Sequence, residues 1–272
     1  MSKNIKTILT IVFCLTFVVL LGLTVLRTVL LVNNYDLTTK QFDIGSTNLT
    51  HLILILSFAV AIILFVSSFI VKKHEVKEFK ISSITKIVSS VLLVGSTISN
   101  AVYLVNSDPN NYSTSNTFSS YKLLLILWSI FALLSVVYLV YSIVQKDKDL
   151  GALSIVLPLW AGIGILSSYF NPDCSLMDNN KTIFCFILMS AAIMFIKASK
   201  NKVYEENNYL TTLLSSVLSV GLSVLFLIPN IIYVISTKSP ITLWGMENLC
   251  ALFILIYSIN VMIVCLKNEK TN

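Results

Sequence analysis

Three polar side chains stand where a membrane protein rarely carries them: Arg27, Asn100 and Asn230. Each falls near the end of a long apolar run, six residues before the polar segment that follows. A guanidinium at that depth can bind an anion or pair with a carboxylate, and an ionisable residue inside a bilayer marks a functional position by default. The two amides can bind a polar solute, or join neighbouring helices by hydrogen bonds. Bridging is the commoner use.

Arg27 allows two placements. It sits about five residues, roughly 7 Å, below the outer end of its run at the helical rise. From there the side chain can snorkel to the headgroups, and that depth favours snorkelling over a place inside the bundle. Acidic partners for it must come from outer loops, at Asp36, Asp108, Asp173 or Glu247, because no apolar run contains an acid.

The elements that hold these residues are eight apolar runs: Ile8–Val32, Leu52–Val71, Ile87–Val105, Leu123–Val144, Leu150–Phe170, Thr182–Ile196, Tyr209–Ile235 and Leu249–Leu266. Most approach the ~20 residues that an α-helix needs to cross a bilayer. Arg27 is the only Lys, Arg, Asp, Glu or His within them. The chain is 12% charged and 56% hydrophobic, whereas soluble domains carry about 25% charged residues. The expected fold is all-α, a polytopic bundle of eight transmembrane helices in one domain spanning residues 1–272. The first run is too long for a signal-peptide core and lacks a small-residue cleavage pattern, so it reads as a retained helix.

Lysine placement orients the bundle. Lys3, Lys6, the cluster from Lys72 to Lys86, Lys146, Lys148, Lys197, Lys200, Lys202, Lys267 and Lys270 fall on one side. Only Lys40, Lys122, Lys181 and Lys238 fall on the other. By the positive-inside rule both termini are cytoplasmic and the protein belongs to the plasma membrane. The net charge of +6 is thereby explained as orientation information, with no nucleic-acid partner. Residues 72–86 form the longest cytoplasmic link and the one place for a partner protein to dock.

The runs pair into four hairpins whose outer turns share a faint pattern, a form of internal repeat common in transporters. Small polar residues line three odd-numbered runs: Ser89, Ser96 and Asn100 in the third, Ser154, Pro158 and Gly162 in the fifth, Thr212, Ser216, Ser219 and Ser223 in the seventh. Such faces serve close helix packing or line a polar cavity. The odd helices are therefore expected to form an inner layer, with the even helices facing lipid. Pro158 and Pro229 each remove a backbone donor and can kink their helices.

Catalytic and metal-binding signatures are lacking. No run carries paired carboxylates, an HExxH or a Ser–His pair, and no phosphate loop is present. The five cysteines show no metal-ligand spacing, though a Cys174–Cys185 bridge is conceivable on an oxidising outer face. The Asn48, Asn111 and Asn180 tripeptides match the glycosylation pattern in outer loops. No catalytic residue, cofactor or metal is expected. Two functions remain in view: a transporter or permease-like protein that serves as the membrane subunit of a larger system, and a non-transporting accessory, immunity or sensory component.

Overall fold

The computed structural model describes residues 3–36, 41–42, 47–70, 80–106, 115–145, 151–171, 179–203, 209–237 and 245–269. Helices form over the apolar runs: α1 (Lys3–Asn34), α2 (Thr47–Ile70), α3 (Ser83–Asn106), α4 (Ser115–Val144), α5 (Val156–Tyr169), α6 (Asn179–Val203), α7 (Tyr209–Thr237) and α8 (Met246–Glu269). A 3₁₀ turn, Gly151–Ile155, leads into α5. Six of the helices are long and apolar enough to cross a bilayer; Asn48–Leu64 and Leu153–Tyr169 are shorter apolar stretches. Helices satisfy their own backbone groups, which hydrocarbon cannot do for them.

The described residues include a short antiparallel bridge after α1. Tyr35–Asp36 (β1) pairs antiparallel with Gln41–Phe42 (β2), Tyr35 opposite Phe42 and Asp36 opposite Gln41. The bridge follows α1 directly, and Tyr35 meets Tyr233 of α7 edge-on at 5.8 Å.

The α3 helix shows which solvent the fold is built for. Its buried residues are Thr85, Lys86, Ser89, Ser90, Leu93, Ser96 and Asn100. Its exposed ones include Ile84, Ile87, Val91, Ile98, Val102 and Val105. A helix in water packs the other way round. Polar groups inside and aliphatic groups outside is the arrangement that lipid favours. Ser82 caps the helix, its Oγ accepting from the Thr85 N–H at 3.2 Å, while its own N–H donates to Asn260 Oδ1 of α8 at 3.2 Å. Lys86, counted with the cytoplasmic loop in the sequence, is instead a buried residue of the first turn of α3.

Helix contacts define two adjoining groups. In the first, α3, α4, α5, α6 and α8 touch in succession and α8 returns to α3, closing a five-helix ring. Its interior is aromatic. Trp128 of α4 stacks on Trp160 of α5 at 6.0 Å, Trp160 meets Phe253 of α8 at 5.2 Å, and Phe253 stacks on Phe195 of α6 at 6.1 Å. In the second, α7 lies against α6 and α8 and carries α1 and α2 on its other sides. Lipid tails are as apolar as these side chains, so close contact rather than water exclusion holds the helices together. Two glycines allow that closeness. A Cβ on Gly164 would stand 2.8 Å from the Trp128 indole, and one on Gly221 would stand 2.2 Å from Leu20 Cδ1.

This arrangement corrects the expected inner layer of odd helices. Half of the most apolar stretch is buried in α6, α7 and α8, against 28% in α3 and α4. Two even helices are thus among the most enclosed. The reason is topological: α6 and α8 are walls of the ring and also support α7, so they have neighbours on both sides. The fifth helix also presents a different face from the one expected. It buries Leu157, Trp160, Ala161, Gly164 and Ser167, leaving Pro158 and Gly162 half-buried at the edge.

Candidate functional site

Arg27 lies in the C-terminal part of α1 and is 1% exposed. The expected reach to the headgroups does not occur; the side chain turns into the bundle. The cause is in α7. Pro229 stands within that helix and has no N–H, so the carbonyl four residues earlier loses its intrahelical donor. That carbonyl belongs to Leu225. Arg27 Nη1 donates to Leu225 O and, at 3.3 Å, to the neighbouring Phe226 O. A guanidinium carries five donors in a planar fork and suits this task.

Two further contacts fix the plane. Nη2 donates to Asn180 Oδ1 in the first turn of α6. The Phe226 ring lies beneath the cation, 5.6 Å from Cζ to the centroid, within range of a cation–π interaction. Arg27 therefore joins α1, α6 and α7 through a side-chain amide and two backbone carbonyls, none of them an acidic side chain. Asp108 and Asp173 lie outside the described residues, as does the Asp36 side chain.

The two asparagines work at other helix contacts. Asn100 is 1% exposed; its Nδ2 donates to Leu125 O at 2.9 Å and to Ser129 Oγ at 2.6 Å, joining α3 to α4. Its Oδ1 has no hydrogen-bond partner among the described residues. Asn230 Nδ2 donates to Asn248 Oδ1 at 3.2 Å, joining α7 to α8. So Arg27 and Asn230 both act on α7, on either side of Pro229, while Asn100 belongs to the far wall of the five-helix ring. Set against known proteins, the chain matches no family model, no curated protein and no solved structure. Its chemistry has to be read from the side chains alone.

The serine stripe of α7 is fully enclosed: Thr212, Ser216, Ser219 and Ser223 are all buried. The Ser219 hydroxyl lies 2.9 Å from Ser190 Oγ of α6 and 2.8 Å from Ser215 O of its own helix. Ser216 donates to Leu213 O at 2.7 Å. These bonds turn Ser216 and Ser219 back onto helix backbone. Ser223 Oγ on α7, Ser57 Oγ on α2, Ser89 Oγ on α3 and Ser258 Oγ on α8 are buried without a hydrogen-bond partner among the described residues. An unsatisfied hydroxyl in an apolar medium costs about 1–3 kcal/mol, and small solutes or waters commonly relieve it.

No group of three His, Cys, Asp or Glu that could hold a metal occurs among the described residues. Cys14, Cys185, Cys250 and Cys265 are free thiols; Cys174, and with it the conceivable bridge to Cys185, lies outside the described residues.

Sequence reasoning missed Asn180, which it had read only as part of a loop tripeptide. The signal for Leu225 was available, because counting back four residues from Pro229 gives the carbonyl that needs a donor.

Proposed function

We propose that this protein is a permease-like component of the plasma membrane, the membrane-embedded subunit of a larger system, passing a polar solute through its helical bundle. It acts without catalysis or cofactor, and its partner protein docks on the cytoplasmic link 72–86. The observation that carries this reading is the burial of Arg27 inside the bundle, since charges are retained within membranes chiefly along solute or ion pathways. The broken hydrogen bond beside it in α7 supplies a bending point of the kind transporters use.

Single cysteines test the reading without knowledge of the solute. Ser216→Cys, Ser219→Cys and Ser223→Cys, each in a background free of native cysteine, are expected to react with a small charged thiosulfonate reagent from one side of the membrane. If none reacts from either side while Asn111→Cys does, the permease reading fails. The alternative, a non-transporting accessory, immunity or sensory component, would then stand. One observation already favours that alternative: the five-helix ring is filled by stacked aromatic side chains.

A second set of single-cysteine variants checks the orientation, with both termini cytoplasmic. In intact cells, an impermeant maleimide is expected to label Asn111→Cys, Asp178→Cys and Lys238→Cys. It is expected to leave Lys77→Cys, Lys148→Cys and Lys202→Cys unlabelled, as the lysine bias requires. The opposite pattern would invert the topology.

A further inference from the structure

We infer that Arg27 is a latch on a hinge in α7: α1 supplies the hydrogen bond that Pro229 denies to Leu225, and releasing it frees the outer end of α7 to swing. The inference rests on the contacts at the break and stands whether or not the protein transports anything.

The hinge is bracketed on both sides. Below it, Gly221 lets α7 lie directly against Leu20 of α1, and Ser219 meets Ser190 of α6, so the inner part of the helix is clamped. Above it, Asn230 holds Asn248 of α8 and Tyr233 meets Tyr35 at the β1–β2 bridge. Tyr233 is buried there, while Ile231, Ile232 and Ile235 face outward. Between the two segments the backbone loses one hydrogen bond at Pro229, and the proline ring crowds the Leu225 carbonyl. Arg27 closes that gap from outside the helix and reaches Asn180 with its other nitrogen. It therefore ties the hinge to α6 as well as to α1.

A structural arginine that merely fills space would act on α7 in the same way whether or not the helix is broken. A latch acts only while Leu225 O needs an outside donor. Residue 229 decides between the two, because Pro229→Ala restores an N–H to the helix and satisfies Leu225 O internally.

Hydrogen–deuterium exchange on the full chain in lipid nanodiscs provides the readout, over backbone amides 230–237. In the parent protein, Arg27→Met is expected to raise exchange there by about tenfold or more, the scale set by losing a charged hydrogen bond. In a Pro229→Ala background the same substitution is expected to change exchange less than about threefold, the size of an ordinary helix-surface effect. Arg27→Lys, which keeps the charge but loses the planar fork, provides the same comparison should the Met variant not fold. Equal increases in the two backgrounds, or no increase in the parent, would overturn the latch. Loss of transport activity plays no part in the outcome, so a failed permease reading and a failed latch remain distinguishable.

Discussion

Arg27→Glu is expected to prevent accumulation of folded protein in the membrane. The substituted carboxylate would face the carbonyl oxygens of Leu225 and Phe226 and the amide oxygen of Asn180, three acceptors that now receive the guanidinium. A buried charge left without compensation costs about 3–5 kcal/mol, a large part of the stability of an ordinary domain. Arg27→Met removes the charge with the donors and leaves Leu225 O without its outside donor, at about 1–3 kcal/mol. Unfolding by increasing sodium dodecyl sulfate fraction, together with the yield of monodisperse protein, ranks the variants. The order expected is parent, Met, Glu. A Glu variant as stable as the parent would mean that the guanidinium contacts are not what seats α1.

The second large effect is expected at Phe253. This side chain is fully buried and touches Trp160, Phe195 and Tyr257, so it ties α8 to α5 and α6 at the centre of the five-helix ring. In a bilayer the unfolded reference also places the ring in hydrocarbon, and the usual transfer term largely drops out. What remains is the void. At ~24 cal/mol per Å³ over a void of ~100 Å³, Phe253→Ala should cost about 2–3 kcal/mol. Val105→Ala, at an outward position on α3, should change stability by less than about 0.5 kcal/mol. The same detergent titration measures both. Similar small effects at the two sites would show that the ring interior is not tightly packed.

The helices themselves were legible because hydrocarbon imposes a simple rule on sequence. A run of apolar residues in hydrocarbon has to be helical, and the helices of the described residues fall on such runs, six of them long enough to cross a bilayer and two shorter. The enclosed stripe from Thr212 to Ser223 was legible for the same reason, since hydroxyls at helical spacing seek a neighbouring helix. Which helix lies inside was not legible, because a polar face such as that of α3 or α7 marks the side that is buried, not how many neighbours the helix has. Enclosure is decided by neighbours: α6 and α8 are buried through what packs on them, which their own residues do not encode. Arg27 illustrates a different gap. Its depth argued for the headgroups, yet its acceptors include two backbone carbonyls, and backbone groups carry no residue signature. Only Pro229 hinted that one of them would be short of a donor.

The distance along the chain between Arg27 and its acceptors has a consequence for synthesis. Asn180 follows it by 153 residues and Leu225 by 198. At ribosomal rates of ~5–20 residues per second, about 10–40 s pass between the synthesis of Arg27 and that of Leu225. During that interval its guanidinium lacks the acceptors on α6 and α7, Asn180, Leu225 and Phe226. The bonds that tie α1 to α6 and α7 therefore form only after most of the chain has been made. The seating of α1 through Arg27 is thus a late event, although α1 is the first helix to be made.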